Sequence, residues 1–345
     1  MQHETSAHAG PRQMLVVAGS GRSGTSLFTG LTGRLGVYIP KPEVSANRSN
    51  PRGFGEPRWL VDYHNDLLSS VDVVVEDGRP EAWDLTGRTA DKPQVLDGLV
   101  TWLEEQFAQN PRIVVKDPRL AWFFELHRAA AAKLDAEIHV ATMLRHPAEV
   151  MRSREIAYGT KTNNTTRTIG WLTMMLGIES RTRDLPRATI RYDDLLADWR
   201  SALTEADATL GMALFSQASP EQLADASELV DPSLHRSKTD WDELQLPARV
   251  LDLATRAYDA LGALVGVPAS EQGETRARLD ALQAELTAYY DESFDVARTR
   301  TGAFARREKR KAVRRVREEL SRSEPVEGRL TALRRTVTDK LRRSS

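Results

Sequence analysis

The sequence predicts an α/β protein: three layers, αβα, with a mostly parallel central sheet and a helical C-terminal extension. Three observations carry this. Short apolar runs without alternation recur at 14–18 (MLVVA), 111–116 (PRIVVK), 137–145 (EIHVATMLR) and 187–192 (RATIRY), as in strands covered by helices on both faces. A helix-like stretch follows each run, and strands alternating with helices build parallel sheets through right-handed crossovers. The first run also ends in glycines, Gly19, Gly21 and Gly24, where a tight turn feeds a helix.

Taken in order, residues 25–35 form the first helix, and 40–57 (PKPEVSANRSNPRGFGEP) a long surface loop of the kind that tends to carry function. Residues 58–70 read as a helix with Trp59, Tyr63, Leu67 and Leu68 in a stripe, while 71–88 has no readable period. A helix over 94–109 is apolar at Leu96, Leu99, Val100, Leu103 and Phe107. Asp117-Pro118 stops the second strand and a helix returns over 120–134; Pro147 opens the helix after the third strand, at its favoured first-turn position. The fourth strand feeds a helix over 195–210. Residues 248–264 and 275–290 are amphipathic, the latter spacing Leu279, Leu282, Leu286 and Tyr289 by three and four.

The 345 residues, 40% hydrophobic, suffice for one large α/β domain with additions. The first eleven residues lack a charged start followed by an apolar run, and no apolar stretch approaches the ~20 residues of a spanning helix. The expected location is cytoplasmic. With no cysteine there is no disulfide, thiolate metal site or cysteine nucleophile. The net charge of −1 hides an asymmetry: residues 301–345 hold 15 Lys/Arg against 6 Asp/Glu.

Strand, glycine loop and helix together form an anion site, since free helix N–H groups and backbone nests favour negative charge. Gly19-x-Gly21-x-x-Gly24 satisfies the dinucleotide fingerprint, but no acidic residue closes a second strand about 20 residues on. Gly19 to Gly24 also has the Walker A span, but Thr25 stands in the lysine position and a cation comes earlier, at Arg22. Arg22-Ser23-Gly24-Thr25-Ser26 resembles the 5'-phosphosulfate loop of sulfotransferases that use 3'-phosphoadenosine 5'-phosphosulfate (PAPS). A second segment agrees. In that family a strand ends in Arg, followed by x-Pro-x-(Asp/Glu)-Val and a Ser eight positions after the Arg; Arg145-His146-Pro147-Ala148-Glu149-Val150 and Ser153 reproduce it. A guanidinium at a strand end and a hydroxyl on the next helix can converge on one phosphate. Tyr192-Asp193-Asp194-Leu195 is similar to the family's Tyr-Glu-Asp-Leu segment.

The resemblance spans about residues 14–210 and implies the P-loop-like sulfotransferase fold. It implies PAPS as sulfuryl donor, held by Gly21, Arg22, Ser23, Gly24, Thr25, Ser26, Arg145, Ser153 and Tyr192, with no metal required. Where many members have Lys-Thr-His this chain has Lys116-Asp117-Pro118, so their histidine base is absent. The family's Arg-Lys-Gly-x-x-Gly element is also missing, with His235-Arg236-Ser237-Lys238 its nearest substitute. Some bacterial and Golgi-type members use a glutamate from the loop after the first helix, which points to Glu56 as base, with His64 the next candidate. Glu56 reads equally as a cap for the following helix. Arg22 would neutralise the bridging oxygen, and Lys116 is a second candidate for charge stabilisation or sulfate orientation.

The expected organisation is an N-terminal segment (1–11), a sulfotransferase domain (12–300) and a basic helical tail (301–345). The tail's sparse apolar positions amid arginines suit peripheral contact with an anionic membrane at its inner face, or an acidic partner. The partner expected at the site is a hydroxylated acceptor. Nucleic acid is not expected, because no aromatic stacking positions interleave with the basic residues; a homo-oligomer is left open. A nucleotide-dependent phosphotransferase and a non-catalytic nucleotide-binding scaffold are the alternatives, the missing Walker lysine speaking against the first.

Overall fold

The computed structural model describes residues 10–48, 50–159, 162–231, 239–294, 311 and 314. Four strands, β1 (Arg12–Ala18), β2 (Arg112–Lys116), β3 (Ala136–Leu144) and β4 (Arg187–Arg191), form one wholly parallel sheet in the order β2-β1-β3-β4. The first strand of the chain is thus interior to the sheet, with Leu15 in register with Val114 on one side and His139 on the other. Both faces of β1 are dry, which is why its sequence does not alternate.

Leu15 and Val17 join Val114, Ala141, Met143, Ala188 and Ile190 in a core beneath α1 (Thr25–Arg34), α8 (Tyr192–Ala197), α9 (Trp199–Leu210) and α10 (Pro220–Ser227). The alternate residues Met14, Val16, Val115 and Val140 are also fully buried. On that second face α4 (Pro93–Gln109) packs against β2, and α5 (Phe124–Lys133) against both β3 and α4. The remaining helices are α2 (Arg58–Ser70), α3 (Ala82–Gly87), α6 (Pro147–Tyr158), α7 (Asn164–Arg181) and α11 (Ala248–Gly262), the last packed on α7. Three layers result, as the sequence predicts.

Four departures have local causes. The helix expected over 195–210 is two, because Asp198 leaves helical geometry and accepts from the Arg200 and Ser201 amides, starting α9 afresh. The helix expected over 120–134 opens with a 3-10 turn, Leu120–Phe123, whose four side chains are all buried. The unread stretch 71–88 contains α3, reached by a segment pinned on its backbone: Trp122 Nε1 donates to Val75 O at 2.9 Å, and a Cβ on Gly170 of α7 would lie 2.4 Å from Glu76 O. Helix α7 escapes the sequence reading altogether. It is buried without a break from Gly170 to Glu179, so it shows no amphipathic period.

The chain divides into two compact units, Met1–Thr287 and Ala288–Ser345. The first ends in a helix over 273–287 that buries Leu279, Leu282 and Leu286. In the second, residues 288–294 are helical and the Tyr290 and Phe294 rings stack. The basic tail, apart from Lys311 and Arg314, and residues 1–9 lie outside the described residues. Among the described residues, no helix is long and apolar enough to cross a membrane.

Candidate functional site

The carboxyl ends of all four strands open onto one cavity of about 580 Å³, where ligands of parallel α/β sheets bind. Its floor is the β1–α1 turn. Gly19, Arg22 and Gly24 all have left-handed backbone, φ 129°, 75° and 92°. For Arg22 that geometry is costly, and such costs cluster at ligand sites. Gly24 caps α1 without a side chain, so no side-chain hydrogen bond closes the helix N-terminus. The Ser23 hydroxyl is wholly buried and has no hydrogen-bond partner among the described residues. An orphan donor beside uncapped amides fits a bound oxyanion that would accept from both.

The other strands bring in the remaining groups. Lys116, the last residue of β2, is 2% exposed, and its Nζ donates to Glu56 Oε1 (2.5 Å), Phe54 O (3.1 Å) and Ser26 Oγ (3.3 Å). One ammonium thereby joins β2, the 40–57 loop and the start of α1. Asn50 Nδ2 also donates to Ser26 Oγ, at 3.2 Å. Gly55 permits this docking, because a Cβ there would meet Thr29 Cγ2 of α1 at 2.7 Å.

Just beyond β3, Arg145 donates from Nε to Glu149 Oε2 (2.9 Å) and from Nη1 to Arg22 O (3.1 Å), and its guanidinium lies 4.6 Å from the Tyr192 ring centre. Arg22 Nε donates to Ser153 Oγ at 3.0 Å. Tyr192, at the start of α8, packs so closely on the glycine loop that a Cβ on Gly24 would lie 2.3 Å from its ring. Burial raises its phenol pKa. The cavity wall thus holds Gly21, Arg22, Gly24, Thr25, Ser26, Glu56, Lys116, Arg145, Ser153 and Tyr192. Ser23 lies just beneath it.

His64 does not reach this wall. It is fully buried, its Nδ1 2.7 Å from Asp117 Oδ2 and its ring stacked on Phe123. Burial works against the Asp117 carboxylate, yet the His64 hydrogen bond and the nearby Arg119 charge bring its pKa below the ordinary value. Asp117 Oδ1 in turn accepts from the Arg119 amide and Nη1. The residue after β2 therefore serves as a buried brace. His235-Arg236-Ser237-Lys238 lies outside the described residues.

Arg154 and Glu76 also line the cavity, and the sequence reading named neither. Arg154 had left a trace, since it shares the buried stripe of α6 with Val150 and Met151, four and three positions before it. Glu76 left none, being carried by a segment without period.

No protein-family profile and no curated protein matches the chain. Among solved structures, the sulfotransferase domain from the Synechococcus PCC 7002 olefin synthase is similar, with 20% identity and a TM-score of 0.42. The alignment covers 76% of this chain and 98% of that one.

Proposed function

We propose that the chain is a sulfotransferase that moves the sulfuryl group of PAPS to a hydroxyl of its acceptor. The observation that supports this reading best is the meeting in one cavity of the Arg22–Ser26 cradle with Lys116, Arg145, Ser153 and Tyr192, groups that follow four different strand ends. A volume of about 580 Å³ falls in the range of small-molecule sites.

In this reading Arg145 and Ser153 hold the nucleotide's 3'-phosphate, and Tyr192 closes the nucleotide side. The loop amides, the Ser23 hydroxyl and Arg22 take the 5' oxyanion. As the acceptor oxygen bonds to sulfur, the bond from sulfur to the bridging phosphate oxygen breaks, and negative charge builds where Arg22 and the loop amides converge. Glu56 takes the acceptor proton. Lys116 orients it through one carboxylate oxygen; the other accepts no hydrogen bond among the described residues. The acceptor's class stays at hydroxyl compounds, carbohydrate, glycolipid or small metabolite.

Titration calorimetry with adenosine 3',5'-bisphosphate (PAP), beside ATP and NAD, tests the reading. Selective PAP binding is expected, weakened about tenfold to a hundredfold by Arg145→Ala, the worth of charge-assisted hydrogen bonds. Binding of ATP or NAD with indifference to PAP would overturn it.

A further inference from the structure

Arg154 is the cavity's unexplained cation. Its side chain is 3% exposed on α6, immediately after Ser153, and Nε donates to Gly21 O at 3.2 Å, which ties the guanidinium to the loop that cradles the oxyanion. Among the described residues that is the one aligned hydrogen bond it makes, although a guanidinium carries five N–H donors. Nη1 is buried in direct ion-pair contact with the Glu76 carboxylate, though not in aligned hydrogen-bond geometry. Nη2 lies 3.4 Å from the point where a Cβ on Gly21 would stand, at the cavity floor. Desolvation lowers the guanidinium's pKa, the mark of a buried cation not fully compensated.

The counter-ion is unlike the cation. Glu76 is one-third exposed, lines the same cavity, and is carried by the segment pinned against Gly170 and Trp122. Its backbone is fixed while its carboxylate has solvent to turn into. A buried arginine with unspent donors, locked to an anion cradle and neutralised by a displaceable carboxylate, is built to exchange one anion for another.

We infer that Arg154 forms a second oxyanion subsite beside the phosphate cradle, which takes a sulfonate or phosphate group of a ligand in place of the Glu76 carboxylate. Two sources share that chemistry, the donor's terminal sulfonate and an anionic group on the acceptor. The assignment of the group to the donor rests on the sulfotransferase reading; the subsite itself does not.

The test is calorimetric titration of the full-length protein with inorganic sulfate, alone and after saturation with PAP or PAPS. Wild type is expected to bind sulfate. Arg154→Met should weaken it tenfold to a hundredfold, and Glu76→Gln should tighten it several-fold by removing the competing carboxylate. A purely structural ion pair predicts the opposite for Glu76→Gln, which would then weaken binding or leave it unchanged. Retained PAP binding in Arg154→Met, or in Arg154→Lys should the first variant misfold, shows that the fold survives. If the donor's sulfonate is the occupant, PAPS abolishes sulfate binding where PAP does not, and its advantage over PAP is lost in Arg154→Met. If the acceptor supplies the anion, sulfate still binds with PAPS in place. Failure of wild type to bind sulfate in any of the three states, or binding unaffected by Arg154→Met, would overturn the subsite. Failure of PAP to bind at all would overturn the donor reading instead, while sulfate binding lost in Arg154→Met would leave the subsite standing.

Discussion

Replacing Lys116 by Met is the most informative single perturbation, because it removes one half of a buried ion pair and keeps the chain's bulk. The Lys116 and Glu56 side chains are 3% and 10% exposed and 2.5 Å apart. At an effective dielectric near 20 such a pair attracts by about 7 kcal/mol, most of it offset by the loss of hydration. Removing one partner uncovers that second term, so Lys116→Met is expected to cost about 3–5 kcal/mol. Glu56→Gln should cost less, about 1–3 kcal/mol, since the ammonium keeps Phe54 O and Ser26 Oγ. The double variant should fall short of the sum by about 1–3 kcal/mol, the coupling expected of residues in contact. Urea unfolding of the four proteins, compared at constant m, measures all three quantities. A Lys116→Met cost under about 1 kcal/mol, or additive costs in the double variant, would refute the ion-pair reasoning.

Two further expectations follow from particular side chains. Gly24→Ala should destabilise by about 2–5 kcal/mol, from left-handed strain at φ 92° plus the clash with the Tyr192 ring. Adding Tyr192→Ala should recover only the clash, and chemical unfolding distinguishes the two parts. His127 is fully buried, and desolvation pushes its pKa down to about 3 from 6.5. The folded state therefore refuses a proton that the unfolded chain binds. The stability from this group is complete above pH 6.5 and falls as pH drops toward 3, by about 3 kcal/mol between pH 7 and 4. Asp117, also held below its ordinary value, adds to the acid loss. His127→Leu should flatten the stability profile between pH 6 and 4; an unchanged slope would mean the imidazole charges freely in the fold.

Strand positions were legible because β1, β2, β3 and β4 are buried on both faces and bounded by glycine, proline or charge. The same burial hid α7, whose surround of neighbours erases the period that betrays a helix. The cradle was legible because its glycines mark a tight turn between strand and helix, and the Arg145 to Ser153 spacing because it resembles a known family's motif. His64 illustrates the converse. Its place on an amphipathic helix suited a catalytic base, and only the fold reveals that it faces inward to Asp117. Glu76 was beyond reach, because what sets its position is contact with α7 and Trp122, nearly fifty or more residues later in the chain. Such distant contacts leave no local pattern.

The three bonds of Lys116 carry a consequence for how the protein acquires its ligand during synthesis. They join segments 60 to 90 residues apart, and the remaining cavity groups arrive only with residues 145 to 192. A ribosome that has released the glycine loop and its helix has released an anion cradle that holds Arg22 but lacks Lys116 and Arg145. A nucleotide held as proposed would therefore stabilise the finished domain by mass action without acting as a template for its early folding. Abundance of the ligand should change how long completed molecules survive, and leave unchanged how many chains reach completion.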